Sequence, residues 1–183
     1  MGKMFDAIFL DRDGTISHDP HGYINSLSEY NFFDYAFEAL EALSKYTDKF
    51  VIVTNQSGLA SGKIDIENLE EINSFIHKEF KKRNLPLKKI YFSDNYEEGY
   101  DSMRKPGVGM FVKAKEDFNI DLSKSLMIGD SIVDMQVGER LDMKTIFLLT
   151  GFGKEYLSEV QEKCNPNFIA KDLLHASKEI VSI

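Results

Sequence analysis

FDAIFLDRDGT, Phe5 to Thr15, carries a short apolar segment straight into two aspartates two residues apart, with an arginine between them and a glycine after. Read as a buried strand running into a turn, it predicts that Asp11 and Asp13 sit at the strand's carboxyl end. Residues i and i+2 of an extended chain point the same way, so both carboxylates can face one site. Side by side and ionised they repel each other, and a divalent cation would relieve that repulsion. Asp-x-Asp-Gly also makes a good turn with no site at all, so the stretch needs support from the rest of the chain.

The apolar pattern of this first strand recurs. Phe5–Leu10, Phe50–Thr54, Lys89–Ser93, Ser125–Ile128 and Lys144–Leu149 are short and mostly apolar on both sides, as strands covered by helices on two faces are. Between them apolar residues step by three and four. Ala36, Ala39, Leu40 and Leu43 form one stripe, and Ile66, Leu69, Ile72, Ile76 and Phe80 a second. Met110, Phe111, Ala114 and Phe118 form a third, and Ile132, Met135 and Val137 a shorter fourth. The tail predicts a helix near Glu155–Glu162, an extended piece at Asn167–Ala170 and a closing helix from Lys171 or Asp172. Strand–helix alternation of this kind predicts a doubly wound α/β fold with a mostly parallel sheet and right-handed crossovers. With no repeat, linker or low-complexity tract, residues 1–183 are expected to form one domain.

Composition narrows the classes of function. The 183 residues are 43% hydrophobic, which suits a globular chain, and the net charge of −8 argues against a general affinity for nucleic acid or anionic membrane. The lone Cys164 excludes an internal disulfide and a cysteine zinc cluster within one chain. No apolar run approaches the ~20 residues that span a bilayer. The opening residues lack the small-residue cleavage site of a signal peptide, and a cytoplasmic setting is the expectation.

In an open parallel sheet, ligands bind beyond the carboxyl ends of the strands. Four of the predicted strands, or the loops after them, carry distinctive polar groups: DRDGT, then TNQSG (Thr54–Gly58), then RKP (Arg104–Pro106), then GDSIVD (Gly129–Asp134). The topology would bring all four to one edge. Asp130 can then join Asp11 and Asp13 as an oxygen ligand, a set that suits magnesium with waters and a substrate phosphate. Lys105 and Thr54 can donate to phosphate oxygens and stabilise developing negative charge. Each piece has a plainer reading when taken alone. Thr54 can merely close a strand, Lys105 can be a solvated loop charge, and Asp130 can cap a helix. Asp134, one helical turn on, reads better as a partner of Lys105 or of a bound water than as a direct ligand. His18 and His21 invite a zinc reading, but lack a third ligand nearby and read better as a solvated flap.

DxDGT, a strand-end threonine, a later lysine and GDxxxD, in that order, resemble the haloacid dehalogenase (HAD) superfamily of phosphatases, over about Phe5 to Leu149. The resemblance implies a HAD-like Rossmannoid sheet and a magnesium-dependent phosphatase working through an aspartyl-phosphate. It makes Asp11 the nucleophile and Asp13 the general acid and base, with Thr54 and Lys105 completing the catalytic set. It places magnesium on Asp11, the backbone carbonyl of Asp13 and Asp130, with Asp134 behind them.

HAD enzymes often carry a cap domain after the first or third strand. Here about twenty residues follow Gly14 before the first helix and about a dozen separate Ser93 from Lys105, too few for a folded domain. No separate cap domain is expected. Among capless members the chain resembles D-glycero-D-manno-heptose bisphosphate phosphatases and the phosphatase half of histidinol-phosphate enzymes. DRDGTI with a following GYI, VTNQSGLASG, RKP and IGDSIVDM carry that likeness. It implies a small phosphorylated metabolite as substrate, contacted by Arg12, Asp19, Gly22, Tyr23, Asn55, Gln56, Ser57 and Arg104. Those enzymes commonly hold zinc in the loop before RKP. The corresponding SDNYEEGYDSMRKP has no Cys or His, so no structural zinc is expected. A polynucleotide 3′-phosphatase also carries DxDGT and a TNQ-like motif, but should bring a basic stripe. A non-catalytic phosphate-binding module on this fold would be expected to lack Asp11, Asp13 or Lys105.

Overall fold

The computed structural model of the protein describes residues 3–183. Its strands are β1 (Ile8–Leu10), β2 (Phe50–Asn55), β3 (Leu87–Ser93), β4 (Leu126–Gly129), β5 (Lys144–Leu148) and β6 (Phe168–Ala170). They form one sheet in the order β3-β2-β1-β4-β5-β6, and every neighbouring pair is parallel. Between and after them run α1 (Ala36–Leu43), α2 (Ile66–Lys82), α3 (Gly109–Phe118), α4 (Ile132–Arg140), α5 (Gly153–Lys163) and α6 (Leu173–Glu179).

The central strands β1, β2 and β4 are mostly apolar because successive side chains enter different cores. Ile8 and Leu10 of β1 join Leu40, Leu43, Ile72, Ile76 and Phe80 from α1 and α2, and Leu173 and Ala176 from α6. Phe9, between them, joins Met110, Phe111 and Ala114 of α3 and Val137 of α4 on the other face. A third cluster packs Met135 and Phe147 against Val160 and Cys164.

β1 is shorter than its apolar run predicts. Phe5 and Asp6 leave the ladder because their N–H groups donate to Tyr46 O and Lys124 O. The Asp6 carboxylate is meanwhile fixed by Lys49 Nζ at 2.8 Å and Asp121 N at 2.6 Å. β3, an edge strand, begins two residues earlier than predicted, at Leu87. The extended tail piece becomes β6, paired with β5. No helix among the described residues is long and apolar enough to cross a membrane.

The chain winds outward from β1 through β2 to β3, then returns to the other side of β1 as β4. Connections on either side of that switch point diverge and leave a crevice at the carboxyl ends of β1 and β4. The connection from β1 to α1 holds one 3-10 turn, Leu27–Glu29, and isolated bridges at Asp13–Ser17 and Ser17–Phe32. Residues 94–108, between β3 and α3, hold no helix or strand. Both connections border the crevice.

Candidate active site

A cavity of about 360 Å³ opens at the switch point, lined by Asp11, Asp13, Thr54, Lys105 and Asp130 among others. Asp11 and Asp13 reach it from the end of β1, Thr54 and Asp130 from β2 and β4, and Lys105 from the connection between β3 and α3. Asp11 follows β1, where its N–H donates to Ile128 O of β4 at 3.0 Å and locks the two strand ends together. Thr54 belongs to β2. Asp130 follows β4.

Lys105 is buried, and its ammonium has three partners: Asp134 Oδ1 at 2.6 Å, Asp11 Oδ1 at 2.9 Å and the carbonyl of Val53 at 2.9 Å. Burial alone would lower its pKa. The facing carboxylates of Asp11 and Asp134 outweigh burial and hold it above the usual lysine value. Asp134 is wholly buried and fully occupied. Besides Lys105, its Oδ2 accepts from Ser131 N at 3.1 Å and Ser131 Oγ at 2.6 Å. Ser131, not Asp130, caps α4, and with Asp134 it forms a reciprocal capping box. Asp130 is thereby free of the cap, and its Oδ2 accepts instead from Phe152 N at 2.8 Å.

Carboxylate oxygens of Asp11, Asp130 and Asp134 lie within 4.8 Å of one another. Three acidic groups beside one lysine leave an excess of negative charge in a poorly solvated pocket. Burial first, then their mutual repulsion, raises Asp130 well above the usual carboxylate pKa. Burial likewise raises Asp11, to about 7, against the opposing pull of Lys105. Such a cluster suits a small divalent cation that takes few protein oxygens. The donors still open to it are on Asp11 and Asp130, since those of Asp134 are taken. Gly14 and Gly151 close the wall here with positive φ of 80° and 49°, and a β-carbon on either would run into the Asp130 carboxylate.

Asp13 is held as tightly. Arg12 grips it with Nε at 3.0 Å from Oδ1 and Nη2 at 2.7 Å from Oδ2. Gln56 Nε2 donates to Oδ2 at 3.0 Å and Ser17 Oγ to Oδ1 at 3.3 Å. Gln56 Nε2 also donates to Thr54 Oγ1 at 2.9 Å, linking β2 to the DRDGT turn.

The expected substrate contacts fall into three groups. Asp19, Gly22, Tyr23, Gln56 and Ser57 line the cavity, with Asp19 fixed by accepting from His21 N at 2.7 Å. Asn55 lines it too, but its amide is spent on the backbone of Lys105, donating to the carbonyl at 3.1 Å and accepting from the N–H at 2.9 Å. Arg12 and Arg104 do not line it. Arg12 is 0% exposed and turned inward onto Asp13. Arg104 lies over the Tyr96 ring, 5.6 Å from its centroid, and faces an adjoining cavity that shares Lys105 and Val133.

His18 and His21 do not converge on a common ligand. His18 packs on Phe33, and His21 on Phe152 and beside Glu155 at the start of α5. The loop before RKP closes by its own hydrogen bonds, with Ser102 Oγ donating to Glu97 O at 2.6 Å and Val108 N to Tyr100 O at 2.7 Å. Sequence reasoning missed the TGFG segment (Thr150–Gly153), whose Phe152 supplies a backbone N–H to Asp130 and a ring to the cavity wall. Its signal was a pair of glycines directly after the fifth strand.

The family described as HAD-hyrolase-like matches residues 102–176. The D-glycero-D-manno-heptose-1,7-bisphosphate 7-phosphatase of Chlorobaculum tepidum is 34% identical over 182 residues, covering 93% of this chain and 91% of that one. The D-glycero-beta-D-manno-heptose-1,7-bisphosphate 7-phosphatase of Photorhabdus laumondii is 36% identical over 172 residues, covering 90% of each. Among solved structures, the D,D-heptose 1.7-bisphosphate phosphatase from B. bronchiseptica, complexed with magnesium and phosphate, superposes with a TM-score of 0.84. At 24% identity over 97% of this chain and 98% of the other, it speaks for the fold. With more than a third of its residues shared along nearly the whole of its relatives' length, the chain belongs to the HAD-like hydrolases and is a phosphatase.

Proposed function

We propose that this phosphatase is magnesium-dependent and removes the 7-phosphate from D-glycero-D-manno-heptose 1,7-bisphosphate or a closely similar sugar bisphosphate, with Asp11 as nucleophile. The observation that carries the chemistry is the Asp11–Lys105–Asp134 chain beside Asp130. It sets one carboxylate at the cavity floor, a fixed cation against it and an acidic pair in want of a metal. The names of the relatives at 34% and 36% identity support the substrate.

Asp11 would attack phosphorus through a carboxylate oxygen while Lys105 neutralises a phosphoryl oxygen. The bond to the sugar oxygen breaks, and its electron pair leaves with the alkoxide, which takes a proton from Asp13. Asp13, now a carboxylate, removes a proton from the water that cleaves the acyl-phosphate. Dividing one displacement into two easier steps is what such a nucleophile contributes. Arg12, Ser17 and Gln56 fix the direction in which Asp13 presents its oxygens. Thr54 orients Gln56 and borders the phosphate's place. Asp11, Asp130 and the backbone carbonyl of Asp13 would hold magnesium, which would supply positive charge to the transferring phosphoryl group.

Phosphate release from heptose 1,7-bisphosphate, with and without magnesium, tests the reading. One equivalent should be released, the 1-phosphate should remain, and EDTA should stop the reaction. No release at saturating magnesium, or equal release in EDTA, would refute it.

A further inference from the structure

Thr150 follows β5 by two residues and does not line the cavity. Its hydroxyl donates instead to the carbonyl of Gly14 at 2.5 Å, across 136 residues of sequence. The residues after it complete the same wall. Gly151 lies against Gly14 and the Asp130 carboxylate, and the Phe152 N–H donates to Asp130 Oδ2 at 2.8 Å. Gly153 N closes the turn on Thr150 O at 2.7 Å. One short segment thus holds both the backbone of the DRDGT turn and an acidic side chain of the site.

Gly14 needs such a hold. Crowding by Asp130 leaves no room for a β-carbon there, and the φ of 80° is one that glycine adopts freely. With no side chain to limit its dihedrals, the peptides on either side of it turn easily unless hydrogen bonds fix them. Two bonds do so. Gly14 N belongs to the same peptide as the Asp13 carbonyl and donates to Ser17 O at 2.8 Å. Thr150 fixes the next peptide through the Gly14 carbonyl. The carbonyls of the turn are then differently employed. That of Arg12 accepts from the N–H groups of Thr15, Ile16 and Ser17, and that of Gly14 from Thr150. That of Asp13 accepts from no backbone N–H among the described residues. A carbonyl whose peptide is pinned while its oxygen stays unused suits a small cation that demands near-ideal geometry of its ligands.

We propose that Thr150 is a positioning residue for magnesium: its hydroxyl holds the backbone at Gly14, and through it the Asp13 carbonyl, in the direction the ion needs. This rests on the reading given under Proposed function. Thr150 spends its hydroxyl on Gly14 and is not itself a ligand. Its loss should be felt in the affinity for the ion rather than in the rate once the ion is bound.

The test is calorimetric titration of the metal-free protein with magnesium, beside kcat at saturating magnesium. Thr150→Val keeps the branched shape and removes the donor. It should raise the Kd for magnesium about 10- to 100-fold, the usual cost of losing a group that orients a metal ligand. The kcat at saturating magnesium should stay within a few-fold of wild type. Thr150→Ser keeps the donor and should hold the Kd within a few-fold. Thr150→Ala should match valine, and takes its place if valine disturbs the fold. Wild-type affinity in Thr150→Val and Thr150→Ala, or a loss in Thr150→Ser as large as in Thr150→Val, overturns the positioning role while leaving the magnesium-dependent phosphatase intact. No binding of magnesium by wild type overturns both.

Discussion

Asn55→Ala should weaken the fold and slow the chemistry, rather than merely loosen the substrate. The Asn55 amide clamps the backbone of Lys105 at two points, Nδ2 to the carbonyl at 3.1 Å and the N–H to Oδ1 at 2.9 Å, across 50 residues of sequence. Each bond, at a half-buried site, contributes about 1 kcal/mol, so losing both costs about 2 kcal/mol. In a chain of this length 1 kcal/mol moves Tm by about 2–4 °C, so a drop of about 4–8 °C is expected. The clamp also ties to the end of β2 the loop from which Lys105 reaches Asp11 and Asp134. A shift of ~1 Å there can cost about 100-fold in rate. The loss should therefore appear in kcat, and with p-nitrophenyl phosphate as well as with a sugar. Asn55→Asp is the sharper variant. It keeps an acceptor for the Lys105 N–H but sets a carboxylate oxygen against the Lys105 carbonyl, and should be no more stable than alanine. Thermal melts in magnesium and steady-state kinetics on both substrates measure these effects. An unchanged Tm, with KM raised for the sugar alone, would show that Asn55 is a substrate contact and that the brace is unimportant.

The two aspartates of DRDGT should part company under mutation. Asp11→Asn should abolish turnover of every substrate, while Asp13→Asn should slow a sugar phosphate by roughly 10²–10⁴-fold and an aryl phosphate much less in the first step. Rapid-quench kinetics, with a burst of phenol from Asp13→Asn alone, checks the assignment. Magnesium should stabilise the protein more as pH rises. A carboxyl whose folded pKa is raised, as burial raises Asp11 from 3.8 to about 7, favours the fold below its unfolded pKa and loses that contribution as pH climbs through the window between the two values. In EDTA, Tm should therefore fall from about pH 4 to about pH 7 on this account, and the gain on adding magnesium should grow over the same range; a gain independent of pH would contradict it. Gly14→Ala must take a φ of 80° and set its β-carbon on Asp130. It should cost about 1–3 kcal/mol of stability and weaken magnesium binding by calorimetry, and wild-type affinity would show that this wall does not shape the metal site.

The parts of the site legible in the sequence are those whose chemistry lies in side-chain type at a strand end or in the loop that follows it. Asp11, Lys105 and Asp130 are of that kind, and a parallel sheet that switches direction beside its first strand brings such ends together whatever the loops do. Legibility stopped where a residue's work depends on which way it turns. Asp130 reads as a metal ligand that could also cap a helix, and the cap falls instead to Ser131, which exchanges hydrogen bonds with Asp134 in both directions. Arg12 and Arg104 read alike as cations available to an anion. One is buried and taken up by its own neighbour Asp13, and the other rests on a tyrosine outside the main cavity. Asn55 was legible as a polar residue beside the site, and its clamp on Lys105 was not, since that clamp needs β2 and the RKP loop side by side. Phe152 is further out of reach, because what it offers Asp130 is a backbone N–H that any residue but proline could supply. The signal that remains for such a position is indirect. Gly151 must lie against both Asp130 and Gly14, and a glycine required by crowding marks the point where backbone, rather than side chain, completes the site.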